Sequence, residues 1–496
     1  MRQLLEPVLL RQLRELETIH QMGQVRPDVL ASRFRLSTKT LMKDFSDIED
    51  IIAPIAVANN SRGLYTLEIP PEYSMDHIYM SFIRRSDRFA LLELLFFHQN
   101  LTLTEAAERL YSSESTVKRM IASINAVIKP FGIFIETRPL RMAGDERDIS
   151  NFYVLLFTEK HSIPAEAFPP EKQKATEHLV RYWFRENDIP LNFSDLNRLK
   201  IWLLVTLQVA DGAPTAREIT PAVTGARRDE FDDKEIKGEY RISFREALTE
   251  DRIWQAMNLI FPQGYVLSAE MLARSLREHP ENVPVYESAK EVVRRVSEFL
   301  VLSDNDGAED EELVRDLYNI FNMARTLRLP QYLLNEKRRL FFEMSAEQEK
   351  ELYYYLEEIF EEIRIPNYHW KQSDFYEIFY ILMTHWAALL PVMQDMMKKC
   401  RIGLFFDTDR EHENYIRRQL EYRFTRRIEV EIVDVLSKEE FADRKFDYDL
   451  ILTNVQDLLP STGDVLCVQL MLTMRDWVFI SRKVREAASQ SINESP

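Results

Sequence analysis

The stretch LTLTEAAERLYSSESTVKRMIASINAVIKPFGIFIETRPLRMAGDE, residues 101–146, decides the fold of the N-terminal third of this 496-residue chain. Thr102 and Glu105 stand at capping-box spacing before a short helix. That helix carries Ala106, Ala107 and Leu110, small enough for close packing. A turn over 111–113 leads into a helix over 114–128, with Val117, Ile121 and Ile124 at helical spacing on its inner face. Ser115, Thr116, Lys118 and Arg119 occupy the outer face. Alternation in IFIETRPLRMAGDE then predicts a two-stranded hairpin.

A helix over 87–97, apolar along most of its length, precedes this stretch. The same order occurs upstream. A helix over 6–20 carries Val8, Leu9, Leu13, Leu16 and Ile19 at helical spacing. Pro27 suits a first helical turn and opens a second helix, with Val29, Leu30 and Phe34 expected inside. Ser37 caps a third helix over 38–48, and two short strands flank a turn over 59–63. Helix, helix, turn, helix and hairpin, twice over, is the order of a winged helix-turn-helix repeated in tandem.

Length sets a prior of three to five domains, at roughly 100–200 residues each. Apolar residues make up 45% and charged residues 29% of the chain, enough apolar surface for several cores. Only 11 glycines occur, and no phosphate-cradling glycine motif or nucleophile elbow is present, which disfavours nucleotide-binding and hydrolytic enzymes. The nine histidines lack metal-site spacing, so neither a metal nor another cofactor is expected. Two cysteines suit a reducing compartment. The charged N-terminus is no signal peptide, and no apolar run approaches the roughly 20 residues of a membrane helix. A cytoplasmic protein without a membrane partner is expected. Net charge is −17, yet residues 1–150 hold 19 basic and 20 acidic residues, so the acidic excess lies in the remainder. A DNA contact needs only a local basic surface, and an acidic body raises its salt sensitivity.

Beyond residue 150 the pattern is amphipathic helices, including 195–210, 244–261, 285–300, 311–327, 346–363 and 373–393. Polar stretches at 211–233 and 303–312 read as exposed loops, and HPENVP at 279–284 as a boundary. The last hundred residues change character: RIGLFF, IEVEIVDV, YDLILT and DVLCVQL are short β-rich runs alternating with helices, the last before 473–485. This implies a small parallel α/β sheet. The fold class is therefore mainly α and multidomain: two winged units, two all-α bundles and a C-terminal α/β domain. The bounds are 1–70, 71–150, 151–280, 281–396 and 397–496.

The function this supports is double-stranded DNA binding. Short polar and cationic side chains on a recognition helix reach phosphates and base edges, and arginine reads guanine bidentately. The candidates are Ser115, Thr116, Lys118 and Arg119 in the second unit and Thr38, Lys39, Thr40 and Lys43 in the first. Arg62, Arg138 and Arg141 lie in the wings, where they enter a minor groove, hold phosphates or are plain surface charge. His385 and His178 read either as structural histidines, buried in the case of His385, or as phosphoacceptors, since neutral imidazole is nucleophilic near physiological pH. Cys400, flanked by Lys398, Lys399 and Arg401, reads either as a bland near-surface cysteine or as a thiol of somewhat lowered pKa. No catalytic residue is assigned.

The tandem units, the segment DLNRLKIWLLVTLQVADG at 195–212 and the α/β tail resemble the Mga/AtxA family of virulence regulators from Gram-positive bacteria. By architecture the resemblance covers the whole chain. It implies that 151–280 and 281–396 are phosphotransferase-system regulation domains and that the tail is similar to enzyme IIB. It also implies a transcription regulator, an activator, which acts with RNA polymerase on promoter DNA. Dimerisation through the C-terminal half and phosphorylation by phosphocarrier proteins of the sugar phosphotransferase system go with it. Two features depart from the family pattern: the first signature helix holds Arg198 and Lys200 in place of histidine, and the loop DTDREHEN lacks a cysteine. The rival reading, an RNA-binding antiterminator sharing the regulation domains, would require a small β-rich RNA domain where this chain has helices.

Overall fold

The computed structural model describes all residues except 99, 187–189, 211–233, 246, 250–265, 301–309, 327, 347–349, 364, 366–370, 390, 393–397, 436, 438–439, 442–443, 457–463 and 491–496. Mainly helical architecture with a small parallel sheet at the C-terminal end is observed, as the sequence implies.

The first winged unit comprises α1 (Pro7–Met22), α2 (Pro27–Phe34), α3 (Thr38–Ile52) and the hairpin β1 (Ala56–Asn59) and β2 (Tyr65–Glu68). Ser37 caps α3 by accepting from the Thr40 amide at 3.1 Å. Leu13, Leu16, Ile19, Leu30, Leu41 and Ile48 form its core. Val29, expected inside, is 46% exposed, because an eight-residue helix turns one narrow face inward and Leu30 with Ala31 fills it.

An unforeseen helix α4 (Met75–Arg85) links the units, and Ser86 ends it while capping α5 (Asp87–Phe97). The second unit continues with α6 (Leu103–Arg109), α7 (Glu114–Ile128) and the antiparallel hairpin β3 (Ile133–Thr137) and β4 (Leu140–Gly144). Gly144 is required there: its φ is 135° and an added Cβ would lie 2.4 Å from the Gly132 carbonyl oxygen.

The following helices are α8 (Glu146–Lys160), α9 (Pro170–Glu186), α10 (Phe193–Ala210), α11 (Lys234–Phe244), α12 (Ala269–Glu278), α13 (Val283–Phe299), α14 (Glu311–Thr326), α15 (Lys337–Ala346), α16 (Lys350–Glu362) and α17 (Gln372–His385). The helix expected over 346–363 is thus α16, with Ala346 belonging to α15. The loop expected at 211–233, most of the helix expected over 244–261 and most of the break at 303–312 lie outside the described residues.

In the tail, β5 (Cys400–Phe405), β6 (Ile428–Ile432), β7 (Leu450–Thr453) and β8 (Asp464–Cys467) pair in parallel in the order β6-β5-β7-β8. Helices α18 (Arg410–Arg423) and α19 (Met474–Gln490) cover one face through Ile416, Leu420, Ile480 and Val484. Phe441 and Phe446 pack on the other face.

The chain forms two compact units. One gathers Met1–Glu287 with Arg315–Lys337 and Ile365–Asp374; the other gathers Ser288–Val314, Arg338–Arg364 and Phe375–Pro496.

Candidate nucleic-acid interface

Local chemistry holds α6 and α7 in place. Thr102 accepts from the Glu105 amide at 3.2 Å, and Glu105 accepts from the Thr102 amide at 2.7 Å, closing the capping box. That amide bond holds the Glu105 carboxyl below its ordinary range. Ser113 caps α7 by accepting from the Thr116 amide at 3.1 Å. Val117, Met120, Ile121, Ile124 and Ile128 bury its inner face.

Ser115, Lys118 and Arg119 are exposed together on the outer face of α7, and Thr116 is half-buried. The two cations are only loosely engaged, Lys118 4.0 Å from Glu114 and Arg119 donating to the Thr116 hydroxyl at 3.3 Å, whereas the Ser115 and Thr116 hydroxyls lie 2.8 and 2.9 Å from the Ser113 hydroxyl. In the wing, Arg138 is exposed at the tip, whereas Arg141 is half-buried and paired across the hairpin with Glu136 at 2.9 Å. The two wing arginines therefore differ, and only Arg138 is unengaged by an acid among the described residues. Asn125, unremarked in the sequence, clamps the wing to α7. Its amide nitrogen donates to the Ile135 carbonyl at 3.0 Å, and its oxygen accepts from the Ile135 amide at 2.7 Å. An inner-face polar residue amid Val117, Ile121 and Ile124 was the available signal.

The first unit repeats the arrangement. Thr38, Lys39 and Lys43 are exposed on α3, while Thr40 is half-buried with its hydroxyl 2.8 Å from the Ser37 hydroxyl. Arg62 is exposed at the wing turn, which Asn60 organises by accepting from the Arg62 and Leu64 amides at 2.9 and 3.0 Å.

The histidines lie elsewhere. His178 on α9 is 43% exposed, and its Nδ1 lies 2.6 Å from Glu239, which is also 3.4 Å from Lys174. The preceding Glu177 pairs with Lys200 at 3.0 Å and Arg181 at 2.9 Å. Burial pushes the Glu177 carboxyl up, but these two cations outweigh it and hold it below the usual range. His385 ends α17 on an exposed position, because the inner face there belongs to Leu382 and Trp386; a buried structural role is excluded. Cys400 is fully buried in β5, where desolvation first and Asp449 second push its thiol up to about 12. Both expectations, a near-surface position and a lowered pKa, are thereby overturned, since desolvation of the buried thiol outweighs the pull of nearby cations. Among the described residues no helix is long and apolar enough to cross a membrane.

Paired, capped recognition helices with attached wings define the class: a DNA-binding regulator of winged helix-turn-helix type. Residues 71–157 match the Mga helix-turn-helix domain. A protein of Streptococcus pneumoniae serotype 4 described as a trans-acting regulator is 22% identical over 92% of this chain and 93% of its own. The anthrax toxin expression trans-acting positive regulator of Bacillus anthracis is 21% identical over 86% of this chain and 87% of its own. The capsule synthesis positive regulator AcpA of the same organism is 27% identical over 30% of each chain. The chain thus carries a helix-turn-helix domain of the Mga type and is similar over most of its length to trans-acting regulators of the Mga/AtxA type.

Proposed function

We propose that this protein is a cytoplasmic transcription activator that grips promoter DNA with α3 and α7 and their wings. The observation that carries the reading is the outer face of α7. Ser115, Lys118 and Arg119 project from a helix whose opposite face is fully buried, with Arg138 exposed on the adjoining wing. Such a face presents hydroxyl and cationic donors to phosphates and base edges. Thr38, Lys39, Thr40, Lys43 and Arg62 form the second contact; Thr116 and Arg141 contribute from half-buried positions. Activation follows the names of the relatives, and RNA polymerase is then a partner.

Residues 151–280 and 281–396 act as sugar-responsive regulation domains, and 397–496 as an enzyme IIB-like module without phosphotransfer. His178 and His385 are the phosphoacceptors. Glu239 on Nδ1 of His178 leaves Nε2 for the phosphoryl group, whose roughly two negative charges would repel Glu239 and loosen α9 from α11. The protein works as a homodimer through its C-terminal half, a reading supported by exposed Tyr422, Met474 and Val478.

The test is a mobility shift of promoter-length duplex DNA across a salt series, with the Lys118→Ala, Arg119→Ala double variant alongside and structured RNA as competitor. Salt-dependent binding lost in the folded double variant supports the reading. Unchanged affinity removes α7 from the interface, and preference for RNA replaces the reading with that of an antiterminator.

A further inference from the structure

Five non-glycine residues among the described ones have positive φ, and two of them occupy the same place in the two winged units. Arg35, with φ 56°, lies two residues before the cap Ser37 of α3. Tyr111, with φ 49°, lies two residues before the cap Ser113 of α7. The hydrogen bonds around them match. Arg35 N–H donates to Ser32 and Leu36 N–H to Ala31, at 3.1 and 2.8 Å; Tyr111 N–H donates to Glu108 and Ser112 N–H to Ala107, at 3.1 and 2.9 Å. Each pair closes a Schellman motif, whose left-handed position ordinarily takes glycine because any Cβ there is crowded.

Both turns thus keep a large side chain where glycine would be relaxed, and the fold gains nothing visible in return. Tyr111 is 98% exposed, the most exposed large hydrophobic residue among those described, and Arg35 is exposed as well. Among the described residues neither side chain has a hydrogen-bond or ion-pair partner in the protein. Non-glycine residues held in this conformation concentrate at functional sites. Here the strain sits at the entry to each recognition helix.

We propose that Arg35 and Tyr111 are DNA-backbone contacts, Arg35 through its guanidinium to a phosphate and Tyr111 through its hydroxyl to a phosphate with its ring over the adjoining sugar. The inference rests on the DNA-binding reading above and adds a matched clamp at the helix-turn-helix turn of each unit. Phosphate contacts fix register without reading sequence, so the two side chains act on any duplex alike.

The experiment measures binding of the full chain to a labelled promoter-length duplex and to an unrelated duplex of equal length, across a salt series. The variants are Arg35→Gly, Tyr111→Gly and, to keep the left-handed backbone by a second route, Arg35→Asn and Tyr111→Asn. Each is expected to bind both duplexes about tenfold more weakly, the worth of a hydrogen bond to a charged acceptor. Arg35→Gly lowers the salt slope by about 1, whereas Tyr111→Gly leaves it unchanged. The melting temperature of the glycine variants stays at or above that of the parent, which a structural role for either side chain would not allow. Wild-type affinity in the Gly and Asn variants of one residue, while Lys118→Ala with Arg119→Ala weakens binding, removes that residue from the interface and leaves the DNA reading intact. Wild-type affinity in that double variant as well overturns the reading of α7 itself.

Discussion

Glu15 on α1 is completely buried, and neither carboxyl oxygen has a hydrogen-bond partner. Arg11 lies 3.6 Å away but is committed to Asp44, to which it donates at 3.0 and 2.7 Å. Burial first, and the Asp44 charge second, push Glu15 from 4.5 up to about 8. The folded state therefore holds this proton where the unfolded chain has released it. Stability from this site is intact below about pH 4.5 and falls as pH rises toward 8. Glu15→Gln imitates the protonated form, with an amide that can donate to Asp44. The variant should melt at higher temperature than the parent at pH 8 and at nearly the same temperature at pH 5. An equal shift at both values would refute a pH-linked role. In the sequence Glu15 looks like one more solvated charge on α1; its burial comes from α3 packing over it.

At the scale of elements, α3 and α7 were legible because cap, helical period and turn agree locally at Ser37 and Ser113. Helix α4 was not, since Ser86 serves both its end and the start of α5 without proline or glycine between them. The clamp by Asn125 was equally hidden, because its partner Ile135 is ten residues away on β3. Asn125→Ala leaves the Ile135 backbone groups unpaired beside α7 and should cost about 1–3 kcal/mol by denaturant unfolding. It should also weaken DNA binding although Asn125 is no DNA contact, because the wing carrying Arg138 loses its fixed angle to α7. Full stability in the variant would show that water replaces the clamp.

Over the whole molecule, the acidic excess lies outside the winged units, so the charge of the body opposes DNA binding and the proposed attraction has to come from a local basic surface. Phosphorylation would deepen that imbalance. Incubation with phosphorylated carrier proteins of the sugar phosphotransferase system should label the wild type. The label should fall in His178→Ala and in His385→Ala and vanish in the double variant. Undiminished label in the double variant would place the acceptor elsewhere, and no label in the wild type would end the phosphoacceptor reading.

The tandem winged units, the helical middle and the parallel α/β tail were all determined by the sequence alone, because each is written in short-range signals: caps, the period of apolar residues and the alternation of strands with helices. The tertiary structure decided how individual side chains are spent. It buried Cys400, tied Arg141 to Glu136 and Lys200 to Glu177, and brought Glu239 to His178 across 61 residues of chain. These pairings depend on which faces of distant helices and strands meet, and local periodicity fixes a face without naming the partner opposite it.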